Sequence, residues 1–140
     1  MKNLKIFLIA LLPVFYLFPA FNLHAGSGIQ DLGKPGTKTA IGKGLTLTYS
    51  FNVHPAMGMV ILKVRVTDKD GNPEDGISLT GISDMPEMQD SNSGKVKFVQ
   101  NKKKDFLFPI NVTMPGKWQV TVVAEKKKKA FFTGIINFNV

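Results

Sequence analysis

The residues of this chain best able to do chemistry are sulfur-bearing and carry no acid or base. Past the first two dozen positions there are five methionines, Met57, Met59, Met85, Met88 and Met114, one histidine, His54, and no cysteine. A thioether is a soft ligand that needs no deprotonation, and it suits Cu(I) better than zinc or calcium. Met85 and Met88 flank Pro86 on one short segment, so their sulfurs are expected to converge on one ion, with His54, Met57, Met59 and Met114 completing the set. The competing expectations are that these methionines fill gaps in a core, beside aromatics such as Trp118, or form an adaptable patch for protein contact.

Hard-ligand and catalytic chemistry find less support. Asp68 and Asp70 beside Gly71 resemble the start of a calcium loop, but no glutamate follows at the required spacing. An ordinary hairpin turn is the simpler reading. Asp84, Glu87 and Asp90 form a possible hard-cation or acid–base set, or merely a solvated loop. With no thiol nucleophile, no phosphate-binding glycine loop and His54 the one histidine beyond His24, the expectation is a protein that is not an enzyme.

The N-terminus sets the compartment. Lys2 and Lys5 precede an almost wholly apolar run at 6–18, then Pro19 and the exit Leu23-His24-Ala25, which together describe a cleavable signal peptide over residues 1–25. An uncleaved anchor is the alternative, although the run is short for a membrane span. The expected location is therefore periplasmic or secreted. Lacking cysteine, the chain carries neither lipid anchor nor disulfide, so burial and hydrogen bonding must hold it together. The chain has 18 basic and 10 acidic residues, and it keeps a positive excess after Lys2 and Lys5 leave.

Residues 26–44, rich in glycine, lysine and threonine, are expected to form a flexible lead-in. From Leu45 the period is two. Leu45, Leu47, Tyr49, Phe51 and Val53 alternate with polar residues, as do Val60, Leu62, Val64 and Val66 with Lys63 and Arg65. Further strands are expected at 77–82, 95–100, 106–112, 118–122 and 131–140, with Pro109 marking an edge or a bulge. About seven strands and no helical stripe predict an all-β, immunoglobulin-like antiparallel β-sandwich over residues 45–140.

Such a fold sorts its loops, because chain direction reverses at every strand. The turn at 54–58, the loop at 83–94 and the turn at 114–116 should share one end, and with it every methionine and His54. The turn at 68–73 and the lysine runs, Lys102, Lys103 and Lys104 and then Lys126, Lys127, Lys128 and Lys129, should share the other. Those lysines are expected either to meet an anionic surface, polyanion or acidic partner or to guard hairpins against aggregation. No aromatics interleave with them in sequence, so nucleic acid is not an expected partner.

From Pro55 onward the chain resembles the YtkA-like family of exported β-sandwich domains. The resemblance rests on Pro55-Ala56-Met57-Gly58, on Val66-Thr67-Asp68-Lys69-Asp70-Gly71-Asn72-Pro73, on Met85-Pro86-Glu87-Met88, and on Met114-Pro115-Gly116-Lys117-Trp118. It implies an accessory role beside heavy-metal or copper export components, or, as in the related FixH-like proteins, beside copper-oxidase assembly, with an envelope or membrane protein as partner. It adds weight to Met85 and Met88 as ligands. A histidine common after the second methionine is replaced here by Gln89-Asp90, and a Gly-x-Tyr segment by Lys102-Lys103-Lys104.

Overall fold

A computed structural model describes residues 28–140; the expected signal peptide at 1–25 lies outside the described residues. These form ten strands and no helix: β1 (Ile29–Asp31), β2 (Thr39–Gly42), β3 (Leu45–Phe51), β4 (Gly58–Thr67), β5 (Ile77–Asp84), β6 (Val96–Lys97), β7 (Val99–Gln100), β8 (Phe106–Val112), β9 (Lys117–Lys126) and β10 (Lys129–Asn139). They make a sandwich of two five-stranded sheets, ordered β1-β10-β9-β5-β6 and β2-β3-β4-β8-β7. All pairings are antiparallel except that of β1 with β10.

Alternation builds the core. Leu45, Leu47 and Tyr49 of β3, Val60, Leu62, Val64 and Val66 of β4, Phe106, Phe108, Ile110 and Val112 of β8, and Trp118, Val120, Val122 and Ala124 of β9 all point between the sheets. Each strand turns its other residues outward, as the pleat requires. Pro109 sits in β8 beyond the two residues that β7 covers, so its missing N–H costs no ladder bond on that side.

Two expectations are corrected. Of the expected flexible lead-in at 26–44, the described part, from Gly28 on, belongs to the sandwich. Leu32 and Ile41 are buried, the Leu32 N–H bonds to the Ile135 carbonyl at 2.9 Å, the Gly36 N–H bonds to the Tyr49 carbonyl at 2.8 Å, and the Tyr49 hydroxyl donates to the Gly33 carbonyl. β1 has three residues, all exposed, and β2 has four, of which Thr39 and Ile41 are buried, too few to show as periodicity. Second, residues 95–100 are not one strand. Val96–Lys97 pairs with β5 and Val99–Gln100 with β8, on opposite sheets. Phe98 marks the crossing: it is buried and stacked on Phe108 with centroids 4.8 Å apart, while Val96, expected on its face, is exposed.

Chain direction still reverses from strand to strand. β3, β4 and β8 alternate in one sheet and β5, β9 and β10 in the other. The connections 52–57, 85–95 and 113–116 therefore lie at one end with the C-terminus, and 68–76, 101–105 and 127–128 lie at the other.

Candidate functional site

The methionine end is built on aromatics. Trp118 stacks on Phe138 at 6.4 Å and Phe51 meets Phe138 edge-on at 5.1 Å. The Trp118 indole N–H donates to the Met114 carbonyl at 3.0 Å, and Gly116 and Val140 exchange backbone bonds of 2.8 and 3.0 Å. These bonds fix the turn at 113–116. The loop after β5 is held as firmly. The Met88 N–H closes a turn onto the Met85 carbonyl at 2.9 Å, with Pro86 in the position that its locked φ favours. Ser91 donates its hydroxyl to Asp84 and accepts the Met85 N–H at 3.1 Å.

All five methionines and His54 therefore occupy the end expected of them, but they do not play one part. Met85 continues the inward face of β5 after Ile77, Leu79, Gly81 and Ser83. It is 6 % exposed, and its Cε lies 3.1 Å from where a Cβ on Gly116 would stand. Its thioether packs; it does not face solvent. Met88, across the turn, is exposed, so the expected convergence of this pair is not what the turn presents. Met57 and Met59 are 56 % and 58 % exposed, and Met114 is exposed too. Met59 lies opposite Asn111 and Gly58 opposite Val112, which brings the start of β4 beside the approach to Met114. His54 is exposed on the hairpin tip before β4, above the bonded pair Asn52 and Ile61.

The exposure of Met59 was legible in the sequence: Val60, Leu62 and Val64 point inward, so strand parity sends Met59 out. The same parity from Ile77 and Leu79 sends Met85 in. Ile82 masks it, because it is an apolar residue on the outer face of β5.

Of the carboxylates of this end, Asp84 is engaged by Ser91 and Glu87 by Lys117 at 3.3 Å, while Asp90 stands in the loop with positive φ. Among the described residues no group of three or more His, Cys, Asp or Glu is placed to hold a metal ion. Asp68 accepts the Asp70 and Asn72 N–H groups at 2.9 and 3.0 Å, which is the work of a turn.

At the lysine end the backbone is unusual. Lys43, Lys104, Lys127 and Lys128 all have positive φ, between 52° and 64°. A left-handed L-residue costs roughly 1–2 kcal/mol unless it is glycine or a side chain that bonds locally. Lys127 and Lys128 are the two central residues between the paired Lys126 and Lys129, the positions of a type I′ turn that asparagine and glycine normally fill. Lys104 meets Asp75 at 2.6 Å and Lys126 meets Glu74 at 3.3 Å.

The neighbouring loop is anchored by Asp105, 2 % exposed. Its carboxylate accepts the Arg65 Nε–H at 2.7 Å, while Asn101 Oδ1 accepts the Asp105 N–H at 2.9 Å and the Lys103 N–H at 3.0 Å. The Arg65 hydrogen bond holds the Asp105 carboxyl below its ordinary range, against the opposing effect of burial. A depressed carboxylate stabilises the fold above the unfolded-state value, about 4, and that stability is lost as pH falls through the folded value. Denaturation at stepped pH is therefore expected to find Asp105→Asn less stable than the parent at neutral pH, the two converging below about pH 4. Arg65→Met, which strands a buried carboxylate, is expected to cost about 2–3 kcal/mol at neutral pH, less than for a fully buried pair because Arg65 is half exposed.

No family profile and no curated protein matches this chain.

Proposed function

We propose that this chain is an exported, non-catalytic accessory domain of immunoglobulin-like strand order whose methionine end takes up a soft metal ion, foremost Cu(I), in support of metal export or copper-oxidase assembly. The strand order supports the fold reading, with β4 beside β8 in one sheet, β5, β9 and β10 together in the other, and both the β4–β5 and β8–β9 connections crossing between sheets. The YtkA-like resemblance supports the setting.

One observation carries the metal reading: the methionines other than Met85 keep their thioethers in solvent at a single end. A core filler would be inside, where burial of such a side chain is worth about 1.5–3 kcal/mol. Met85 shows what that role looks like here. Exposed thioethers beside His54 form a donor set chemically suited to Cu(I) and unsuited to calcium or magnesium.

The test is competition for Cu(I) against a chelator under reducing conditions. The parent and Met85→Leu are expected to withdraw copper equally, because the Leu swap conserves core volume and costs less than about 1.5 kcal/mol. The Met57→Leu, Met59→Leu, Met88→Leu, Met114→Leu variant is expected to withdraw none. Equal competition by parent and quadruple variant would remove the reading.

A second reading has its own support. Val53 is exposed beside Met57 and Met59, extending the thioethers into an apolar patch of the sort that docks on a protein. This metal-free module predicts no copper competition and a partner contact that chelators leave intact.

A further inference from the structure

The lysine end is a separate surface, and what is proposed for it does not depend on the methionines. Lysines protect sheet edges from pairing with other chains, and the strand order narrows that explanation without removing it. β5 covers β9 as far as Lys126, while β1 covers β10 only at Thr133–Ile135, so the open edge beside this hairpin is the short stretch from Lys129 to Phe132.

The backbone points to a positive reason. Four of the five non-glycine residues with positive φ among the described residues are lysines, and all four stand at this end. Asparagine or glycine would hold the same turns without the strain. Strained positions that persist are starting points for a functional hypothesis, and what lysine adds to these turns is an ammonium group held beyond the strands. Lys104 has a carboxylate partner, whereas Lys43, Lys102, Lys103, Lys127 and Lys128 make no ion pair among the described residues.

An aromatic ring sits among them. The β9–β10 register slips between Ala130 and Phe132, leaving Phe131 as the extra residue. Such a bulge re-aims a side chain, and here the Phe131 ring lies under the Lys43 ammonium, 5.5 Å from nitrogen to centroid. Lys43, Lys126, Lys127, Lys129, Ala130 and Phe131 line an open groove of about 530 Å³. Charges outermost with an aromatic ring behind them match the order of groups at a bilayer surface, headgroup phosphate first and apolar boundary beneath.

The chain also enters the domain near this end. β1 runs parallel to β10 with Ile29 opposite Thr133, closer to Lys129 than to Asn139, and Ile29 is 64 % exposed. The apolar run at 6–18 precedes it in sequence.

We infer that the lysine end docks on the headgroup surface of an anionic lipid bilayer, its hairpin tips meeting phosphates and Phe131 reaching the interface behind them. Docking this way leaves the methionine end pointing away from the membrane.

The test is partition of the exported chain, freed of residues 1–25, onto vesicles. Phosphatidylcholine vesicles containing about a third phosphatidylglycerol are compared with pure phosphatidylcholine at low and high salt. Each lysine near a charged surface is worth roughly fivefold in partition, so the Lys127→Asn, Lys128→Gly variant is expected to bind the anionic vesicles roughly 25-fold less well. Its binding to neutral vesicles should equal that of the parent. Because Asn-Gly suits the turn better, a loss cannot be put down to unfolding. Lys102→Gln with Lys103→Gln is expected to lower anionic binding similarly, and rising salt should weaken the parent most. Equal binding by parent and variants, or binding indifferent to salt, would overturn the inference. So would parent binding to heparin with none to the anionic vesicles, which would assign the end to a soluble polyanion.

Discussion

Adding one methyl group at Gly81 is expected to destabilise the domain by about 2–3 kcal/mol, near the top of the usual range for overpacking. Gly81 lies in β5 against a pair of rings. A Cβ there would stand 2.7 Å from the Phe98 ring and 3.0 Å from the Phe108 ring. Neither ring has room to yield: both are buried and stacked on each other. Phe98→Ala is expected to cost about 3–5 kcal/mol through lost burial and the cavity it leaves. The two effects should not add. With Phe98 truncated, the new methyl enters vacated space, so the double variant should be more stable than the summed losses imply by at least about 1 kcal/mol. Urea denaturation of the four proteins measures this directly. Simple additivity would mean that the ring of Phe98 does not sit over Gly81, and that the crossing from β6 to β7 is placed wrongly. A domain of this size has about 5–15 kcal/mol to lose, so the single variants should remain folded enough to measure.

The second large effect runs in the opposite direction. Replacing Lys127 with asparagine and Lys128 with glycine is expected to raise stability by about 2 kcal/mol. The gain comes from the left-handed strain removed at two positions, offset in part by the greater freedom of glycine in the unfolded chain. Midpoint temperature should rise by several degrees. Calorimetry or thermal denaturation followed by circular dichroism would read the shift, and an unchanged or lowered midpoint would show that the turn carries no such strain. Together with the expected loss of vesicle binding, the result would identify a turn in which stability is given up for charge.

How much of this was legible depended on how many residues each feature had in which to show itself. Strands β3, β4, β8 and β9 carry at least three inward side chains each, and their alternation is plain. The sorting of methionine from lysine followed from direction reversal alone and needed no side-chain detail. β1 and β2 escaped because the buried apolar residues there, Leu32 just past β1 and Ile41 in β2, stand singly amid glycine, lysine and threonine. The split at Phe98 was hidden because a strand that changes sheets keeps its alternation while changing what each face meets. The burial of Met85 was hidden because Pro86 and Met88 suggest a loop, whereas the inward row from Ile77 through Ser83 continues into it. The left-handed lysines left no trace, since nothing in a run of lysines announces positive φ.

Copper uptake at the methionine end stands or falls on which sulfurs the ion meets. X-ray absorption at the copper edge, on protein loaded with Cu(I) under reducing conditions, reads the elements in the coordination shell. A shell dominated by sulfur is expected in the parent and in Met85→Leu, and its loss is expected in the Met57→Leu, Met59→Leu, Met88→Leu, Met114→Leu variant. A shell of nitrogen and oxygen alone, or one that the quadruple variant leaves unchanged, would contradict this reading.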